Sequence, residues 1–496
     1  MRLLGLDIGS SSIKAALVDA TTGKTLGAVQ APEREMDIMA PKPDWAEQDP
    51  EIWWQNACLA VQKLLKQTKT DPATVSAIGI SYQMHGLVAL DERGRTVRPS
   101  IIWCDSRAVG IGESAFRALG ESYCLAHYLN SPGNFTASKL KWVKDNEPER
   151  FAKIRYFMLP GDYIAYRLTG EAATTVSGLS EGVLWDFSAN APAQSLLDHY
   201  GVDRSLIPPI VPTFGQQGRL SEEAAGALGL NPGVPVTYRA GDQPNNALAL
   251  NVLKPGEVAA TGGTSGVVYG VVDKLVADPQ NRVNSFAHVN HQPGAPRIGV
   301  LLCINGSGIQ YSWMRKQVAG DAVSYPEMEQ LAATAPPGAD GLCILPFGNG
   351  AERMLGNRTP GAQIGNLHFN RHGRAQLYRA ALEGVAFSFV YGMQVLQELG
   401  LDVSVIRVGN DNLFQSAIFS TTIAQLMNCR IEMLQTTGAV GAAIASGVGI
   451  GLWADAGEGL GALQLERVYE PGTPDGAYRE AYKRWAAHLD KALALS

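Results

Sequence analysis

Residues 238–246 (YRAGDQPNN) contain one carboxylate, Asp242, which follows a glycine and is followed by three carboxamide side chains. A carboxylate in such a polar turn can act as a general base that removes a proton from a hydroxyl group. The alternative is a loop aspartate that caps a helix, which is the commoner role for Asp in this context. Pro244 disfavours a helix that starts at Gln243, but it is compatible with the first turn of a helix.

A turn rich in glycine and serine near the start of the chain could bind an anion. Two apolar runs flank Gly9, Ser10 and Ser11, and Lys14 follows as a nearby cation. Backbone N–H groups and hydroxyls in such a turn are suited to phosphate. Asp7, at the end of the first run, could hold a metal ion directly or through water. The alternative is a plain hairpin whose polar residues only satisfy the turn.

A second strand–turn–strand pattern occurs about half a chain later, over residues 258–269 (VAATGGTSGVVY), with Gly263 and Thr264 in its turn. The chain has 496 residues, which is long for one hydrophobic core, so we expect two domains. Two similar hairpins predict a duplicated fold with one anion-binding turn per domain facing a shared cleft. The expected domains are residues 1–246 and 247–496, with Asp242 near their junction.

Two further apolar runs deliver polar side chains to loops. Residues 75–81 are typical of a buried strand that ends at Gln83, Met84 and His85, and residues 101–103 lead to Asp105 and Arg107. Ligand sites in α/β proteins lie at the carboxyl ends of strands. The alternative for His85 is a purely structural role. The alternative for Asp105 is an ion pair with Arg107 that braces the loop, and this has equal weight with a substrate role.

Several helices are expected to position these residues. Asp49 is a candidate N-cap with Pro50 at the first helical position, and the longest helix is expected over residues 376–399. Residues 150–170 are predicted as a helical stretch. A small-residue helix is expected to begin at residue 438 and to let two backbones approach closely.

Composition excludes some classes of protein. The net charge is −6 without a long basic run, which argues against nucleic acid or an anionic membrane as the main partner. The six cysteines lie far apart and are typical of reduced thiols. No stretch is apolar enough to span a bilayer, and we expect a soluble cytoplasmic protein. P-loop and Rossmann glycine motifs are absent from the sequence.

Many spaced motifs together resemble the FGGY family of carbohydrate kinases over nearly the whole chain. They are most similar to the motifs of the members that phosphorylate D-xylulose. The motifs are Gln48-Asp49-Pro50-Glu51 with Trp53-Trp54, Gln83-Met84-His85-Gly86, Trp103-x-Asp105-x-Arg107, Thr136-x-x-Lys139-Leu140-x-Trp142 and residues 362–383. Asn366 stands where the last motif usually has glycine.

The resemblance implies an actin-like, ribonuclease-H-like fold of two α/β domains, with ATP and a sugar meeting in the cleft. It implies that Asp242 is the catalytic base and that Asp7 organises Mg²⁺ and the phosphates. The Mg²⁺ ligands would be Asp7 and Asp242, directly or through water. In this family the nucleotide is ATP.

The resemblance also implies which residues bind the two substrates. For the sugar they are Gln83, Met84, His85, Asp105 and Gln243. For the phosphates and nucleotide they are Gly9, Ser10, Ser11, Lys14, Gly263, Thr264, Gly308, Gly409 and Asn410. Two departures from the family pattern are Gln243, which is nearer the glycerol-kinase form, and Gly409-Asn410-Asp411-Asn412, where the family commonly has three glycines.

The expected reaction is transfer of the ATP γ-phosphoryl group to D-xylulose, giving D-xylulose 5-phosphate. Other acceptors within this class are L-ribulose, L-xylulose and glycerol. An alternative from a different class is an actin- or chaperone-like ATPase that phosphorylates no sugar, and a third is a catalytically silent sugar-binding relative. The expected partner is a small-molecule sugar, and a homodimer is the default assembly.

Overall fold

A computed structural model describes residues 1–472 and 476–496. The first half contains a five-stranded sheet with helices on both faces and several short strand pairs. Its strands are β1 Arg2–Ile8, β2 Ile13–Asp19, β3 Thr25–Ala31, β4 Glu47–Gln48, β5 Val75–Tyr82, β6 Val88–Leu90, β7 Ser100–Ile101, β8 Tyr156–Met158, β9 Thr174–Thr175, β10 Trp185–Asp186, β11 Ala191–Pro192, β12 Ile210–Val211 and β13 Val236–Gly241. Its helices are α1 Pro50–Thr68, α2 Val109–Leu119, α3 Glu121–Tyr128, α4 Thr136–Asn146, α5 Pro148–Phe151, α6 Pro160–Thr169, α7 Val176–Glu181, α8 Gln194–Tyr200, α9 Glu222–Leu228 and α10 Asp242–Ala249.

The second half is built on a seven-stranded sheet. Its strands are β14 Glu257–Gly262, β15 Gly266–Val272, β16 Asn284–Ala287, β17 Ile298–Ile304, β18 Cys343–Phe347, β19 Gly361–Gly365, β20 Val405–Gly409, β21 Arg430–Leu434 and β22 Leu465–Tyr469. Its helices are α11 Gly308–Met314, α12 Tyr325–Ala332, α13 Arg374–Glu398, α14 Ala417–Met427, α15 Gly438–Gly449, α16 Ala456–Gly459 and α17 Gly476–Leu495.

The two large sheets share one topology. The first has the order β13-β5-β1-β2-β3, and the second contains the order β21-β20-β14-β15-β17. In each sheet the first hairpin strand (β1, β14) is parallel to one later strand (β5, β20) and antiparallel to its hairpin partner. A helix follows the last parallel strand in both halves, α10 after β13 and α15 after β21. The predicted duplication of an actin-like α/β fold is therefore confirmed.

Helix α15 belongs to the second half of the chain but packs on the sheet of the first half. Gly5 and Gly79 face each other in neighbouring strands beneath it. A Cβ atom at Gly5 would lie 1.8 Å from the Ala439 carbonyl oxygen, and one at Gly79 would lie 2.0 Å from the Ala442 carbonyl oxygen. Backbone-to-backbone packing of this kind is possible only without those side chains. The predicted close approach of the small-residue helix is confirmed.

Helix α1 covers the opposite face of the same sheet with buried Trp53, Ala57, Val61 and Leu64. It begins as expected, because the Asp49 side chain accepts a hydrogen bond of 3.0 Å from the Glu51 N–H and Pro50 occupies the first turn. The first sheet is thus sandwiched between α1 and α15.

The predicted helix over residues 150–170 is wrong in its first part. Helix α5 ends at Phe151, strand β8 follows and pairs with β6, and only then does α6 begin at Pro160. Proline keeps the preceding residue out of the helical region, and Leu159 is extended with ψ 162°. Tertiary pairing of β8 therefore prevailed over local helical preference.

The predicted division between residues 246 and 247 falls inside α10, the helix that follows the first sheet. None of the described helices is both long enough and apolar enough to cross a lipid bilayer.

We expect Gly79→Ala to lower the free energy of unfolding by at least about 2 kcal/mol, because the new methyl group would collide with the α15 backbone. Urea titrations followed by circular dichroism measure the change. Gly226→Ala in α9 is the matched control: no atom lies within 4 Å of its Cβ position, and alanine should stabilise that helix by up to about 1 kcal/mol. An unchanged free energy of unfolding in Gly79→Ala would contradict the close approach of the α15 backbone to β5.

Candidate active site

Three parallel strands of the first sheet end at the same edge of that sheet. Strand register places Asp7 opposite Ser81 and Ser81 opposite Ala240, so β1, β5 and β13 terminate side by side. The residues that follow these strands are Gly9 to Ser11, Gln83 to His85, and Asp242. The structure therefore brings together the first turn, the histidine loop and the aspartate that sequence analysis singled out separately.

Asp242 is the first residue of α10, and the preceding Gly241 is tightly enclosed. A Cβ atom at Gly241 would lie 2.6 Å from Met84 Cγ and 3.0 Å from Glu181 Oε2. Burial, together with the nearby charge of Asp7, raises the pKa of Asp242 to about 7. Asp242 thus has a pKa suited to a group that gains and loses a proton near neutral pH.

His85 has a left-handed backbone, with φ 61°, at the tip of its loop. Its Nδ1 lies 2.8 Å from the Glu181 carbonyl oxygen. Since a carbonyl oxygen can only accept a hydrogen bond, Nδ1 carries the proton. Nε2 of the neutral ring can therefore accept a hydrogen bond from a ligand. Burial lowers the pKa of His85 to about 3, and the positive charge of Lys139 contributes. The ring is therefore neutral, and its 3.7 Å separation from the Glu181 carboxyl is not an ion pair.

The rings of Phe135 and Phe286 lie against His85, with centroid distances of 4.8 and 5.3 Å. Phe135 precedes α4 in the first half, whereas Phe286 lies on β16 in the second half. Both halves of the chain thus enclose this histidine.

Lys139 is fully buried in α4, and its Nζ donates to the carbonyl oxygens of His85 and Ile102, each at 2.9 Å. Burial lowers the pKa of Lys139 to about 7. It therefore ties together the two loops that follow β5 and β7. Sequence analysis used Lys139 only as part of a motif and missed this role; a lysine on an otherwise buried helix face was the available signal.

Glu181, at the end of α7, is a second residue that sequence analysis missed. Its side chain is buried, and burial raises its pKa far above the ordinary value, with further increases from the charges of Asp242 and Asp162. Burial therefore favours the neutral form of the Glu181 carboxyl, which lies next to Gly241. Residues 174–181 had appeared only as a small polar stretch, equally compatible with a cleft or a loop.

The remaining predicted sugar residues on this side are Gln83, Met84 and Gln243. Gln83 and Met84 are buried, and Gln243 is half-buried. Neither amide atom of Gln83 has a hydrogen-bond partner in the part of the chain that the structure describes. A buried amide without partners is costly, which is consistent with a polar ligand at this place.

Asp105, in contrast, has its carboxylate fully engaged. It accepts hydrogen bonds from the Arg107 guanidinium at 2.6 Å and from the Ala46 N–H at 2.6 Å, and it is completely buried. The geometry favours the ion-pair alternative over the predicted sugar contact. Asp105 braces the loop that carries Trp103, whose indole N–H donates to Ser10 Oγ at 3.3 Å.

The first predicted anion-binding turn lies beside Asp7. The Gly9 N–H donates to the Ser12 carbonyl at 3.1 Å, and Ser11 is exposed. Lys14 is exposed and lies directly opposite Asp7 in the hairpin, so the two side chains leave the same face of the sheet. The turn offers hydroxyls and a cation next to a carboxylate.

The second turn and the start of α11 form one wall of a cavity of about 820 Å³. The Gly308 N–H donates to the Gly263 carbonyl at 3.0 Å, and the Ile309 N–H donates to the Thr264 carbonyl at 3.1 Å. A Cβ atom at Gly308 would lie 2.3 Å from the Gly263 oxygen, so this contact requires glycine. Gly263, Thr264 and Gly308 thus line one cavity.

Asp411, Asn412 and Leu413 also line that cavity. The predicted residues Gly409 and Asn410 immediately precede them, and the Asn410 amide donates to Glu466 at 2.8 Å. The loop residues that line the cavity thus begin at Asp411, two positions after the predicted Gly409.

No group of three or more His, Cys, Asp or Glu side chains in residues 1–472 and 476–496 is arranged to hold a metal ion. Mg²⁺ bound to nucleotide phosphates needs only one or two protein carboxylates. Asp7 and Asp242 are close enough for the charge of Asp7 to raise the pKa of Asp242. The residues present fit a cation shared with phosphates.

Comparison with known proteins matches both halves of the chain to one family. The model of the N-terminal domain of the FGGY family of carbohydrate kinases matches residues 2–249, and that of the C-terminal domain matches residues 258–450. The xylulose kinase of Haemophilus influenzae is 28% identical over 98% of this chain and 99% of that protein. The xylulose kinase of Escherichia coli is 31% identical over 80% of this chain and 79% of that protein.

Among solved structures, the xylulose kinase from Rhodospirillum rubrum superposes with a TM-score of 0.88, at 28% identity and with 99% of each chain covered. The two-domain fold is therefore shared over the full length.

We expect Asp242→Asn to stabilise the protein more at pH 8 than at pH 5. The folded pKa of about 7 lies above the ordinary value of 3.8, so the contribution of Asp242 to stability is full below pH 4 and is lost as the pH rises through 7. Because solvent in the cleft weakens the effect, the variant should gain about 1–2 kcal/mol more at pH 8 than at pH 5.

Thermal unfolding at both pH values measures this difference. Asp71→Asn, an exposed cap to which asparagine is equally suited, is the control and should show no difference between the two pH values. Equal gains for Asp242→Asn at pH 5 and pH 8 would rule out a raised pKa.

Proposed function

Because the chain belongs to the FGGY family of carbohydrate kinases, and is thereby an ATP-dependent sugar kinase, we propose that its acceptor is D-xylulose and its product D-xylulose 5-phosphate. The proposal for the sugar is supported by relatives named xylulose kinase that align with most of the chain. The single observation that carries the chemistry is Asp242, whose pKa is raised to about 7 at the start of α10, close to Met84.

In the proposed reaction, an Asp242 carboxylate oxygen accepts the proton of the sugar hydroxyl as that oxygen attacks the γ-phosphorus of ATP. Phosphoryl transfer depends mainly on positioning and charge stabilisation. Neutral His85 accepts a hydrogen bond from another sugar hydroxyl through Nε2, which selects the hydroxyl that faces the phosphate. Gln83 and Gln243 supply further polar contacts to the sugar.

The two turns hold the phosphates in this proposal. Gly9, Ser10 and Ser11 contact them from the first half, with Lys14 as a nearby cation, and Gly263 and Thr264 contact them from the second half. The adenosine occupies the cavity beside Gly308 and the loop that begins with Gly409 and Asn410. Asp7 and Asp242 would hold Mg²⁺, which would supply neutralisation of charge on the phosphates.

We also propose a division of the chain into two domains with different ligands. Residues 1–246 form the domain with the sugar and one phosphate turn, and residues 247–496 form the nucleotide domain. ATP as co-substrate suggests action in the cytoplasm, and a homodimer remains a prediction.

A coupled assay of ADP release tests the sugar. We expect the highest kcat/KM with D-xylulose, above L-xylulose, L-ribulose and glycerol by at least about tenfold, because a pocket that hydrogen-bonds hydroxyls discriminates against a misplaced hydroxyl. Mass spectrometry of the product checks that the phosphate is on the sugar. A tenfold preference for another acceptor would overturn D-xylulose, and ADP release without phosphorylated sugar would favour the ATPase alternative.

We expect Asp242→Asn to lower kcat by about 10²–10⁴-fold, because an amide cannot accept the hydroxyl proton. The KM for the sugar should change little, since the amide keeps the size and hydrogen-bonding capacity of the side chain. Steady-state kinetics measures both constants, and Asp71→Asn serves again as the remote control. Turnover close to that of the unmodified protein would exclude Asp242 as the base.

A further inference from the structure

The sheet of the second half presents one face to the sugar side of the cleft. Asn284 pairs with Leu301, and Phe286 pairs with Gly299 in β16 and β17. Residues two apart on a strand point to the same face, about 7 Å apart, so Asn284 and Phe286 are neighbours on that face. Because the Phe286 ring lies 5.3 Å from the His85 ring, this face borders the proposed sugar site.

Arg353 is held on this same face. Its guanidinium donates hydrogen bonds to Asn284 Oδ1 and to the Asn281 carbonyl oxygen. Both partners are neutral. Burial raises the pKa of Cys303, and the positive charge of Arg353 opposes that increase. Burial lowers the pKa of His85, and the charges of Lys139 and Arg353 lower it as well. The guanidinium thus lies close enough to both groups for its charge to act on them.

The most deeply buried arginines of this protein have carboxylate partners. Arg98 contacts Glu47, Arg239 contacts Asp162 and Arg379 contacts Glu383, at nitrogen–oxygen distances of 2.6, 3.1 and 2.7 Å. Arg353 is half-buried, and no Asp or Glu oxygen in residues 1–472 or 476–496 lies within 4.0 Å of its nitrogens. Burial lowers its pKa. The negative charge of Asp278 acts on Arg353 from beyond 4.0 Å, but no carboxylate contacts the guanidinium among the described residues. A partly desolvated cation without a contacting carboxylate favours a ligand that neutralises it.

The neighbouring residue fixes Arg353 in place. The Glu352 carboxylate is completely buried and accepts hydrogen bonds from the N–H groups of Asn305 and Gly306, at 3.0 and 2.8 Å. These residues lead into α11, which borders the nucleotide cavity. The guanidinium is therefore a preorganised group between the nucleotide loop and the histidine, rather than a mobile surface side chain.

We infer that Arg353 binds an oxyanion of the sugar-derived ligand, an inference that rests on the proposed kinase function. Within the described residues Nη2 of the guanidinium makes no hydrogen bond, and a guanidinium nitrogen can donate to phosphate and carboxylate oxygens alike. The oxyanion is either the phosphoryl group carried by the sugar product or a carboxylate on an acidic sugar substrate. Arg353 is thus a recognition residue contributed by the second half of the chain to a site whose other sugar contacts come from the first half.

The test is calorimetric titration of the full chain with three ligands: neutral D-xylulose, D-xylulose 5-phosphate and the sugar acid D-xylonate. We expect Arg353→Gln to weaken binding of one of the two anions by about tenfold or more, with less than about twofold change for D-xylulose. Loss confined to the 5-phosphate assigns the oxyanion to the phosphoryl group. Loss confined to D-xylonate assigns it to a substrate carboxylate.

Two further variants separate recognition from structure. Asn284→Asp keeps an acceptor in place but supplies a carboxylate partner, so it should weaken anion binding even if Arg353→Gln folds poorly. Arg358→Gln is the matched control, because among the described residues the Arg358 guanidinium donates to the Leu355 and Leu493 carbonyls, at 3.2 and 3.0 Å. Unchanged affinity for both anions in Arg353→Gln and Asn284→Asp, or equal losses for all three ligands, would overturn the inference.

Failure of the proposed sugar is distinguishable from failure of this inference. Absence of D-xylulose turnover in the acceptor assay contradicts the proposed function alone. The titrations then use the sugar that is turned over, its phosphate ester and its acid, with the same expected pattern for Arg353.

Discussion

The contact between helix α15 and the glycines of β1 and β5 is the constraint on which the rest of the structure depends. Gly5 and Gly79 allow the helix backbone to lie directly on the sheet. This brings Gly438, the first residue of α15, so close to Asp7 that a Cβ atom there would lie 2.9 Å from Asp7 Oδ2. The Asn245 side chain donates to the Gly438 carbonyl at 2.9 Å, which links α10 to the same point. Strand register brings the ends of β1 and β13 side by side, and the start of α15 from the second half packs against Asp7 and Asn245 at that place.

Burial then decides the charge of each group in the site. It raises the pKa of Asp242 and Glu181 and lowers the pKa of His85 and Lys139. His85 is therefore neutral and burial favours the neutral form of Glu181, which suits hydrogen bonding to hydroxyl groups rather than attraction of ions. Asp242 has a pKa of about 7, as a general base near neutral pH requires. Burial thus gives His85 a neutral ring for hydrogen bonding to the sugar and gives Asp242 a pKa suited to proton transfer.

Local sequence signals predicted the parts of the fold that depend on local chemistry. The glycine turns, the Asp49 cap and the small-residue helix at residue 438 followed from residue types and spacing. The roles of Lys139 and Glu181 did not, because both depend on burial between segments distant in the chain. The sequence was equally compatible with a sugar contact and with an ion pair for Asp105. The hydrogen bonds from the Ala46 N–H and the Arg107 guanidinium, which favour the ion pair, become visible only in the structure. The strand at residues 156–158 was missed because its partner β6 lies far away in sequence.

The edge strand β16 explains why the sugar pocket belongs to both halves. An edge strand leaves backbone groups unpaired, and here side chains of the first half satisfy them. Asn130 donates to the Ser285 carbonyl at 2.6 Å and accepts from the Ser285 N–H at 3.1 Å. Ser180 accepts from the Ala287 N–H at 3.0 Å, and Ser177 donates to the Ala287 carbonyl at 3.3 Å. These bonds attach β16 to the first half of the chain and hold Phe286 against His85.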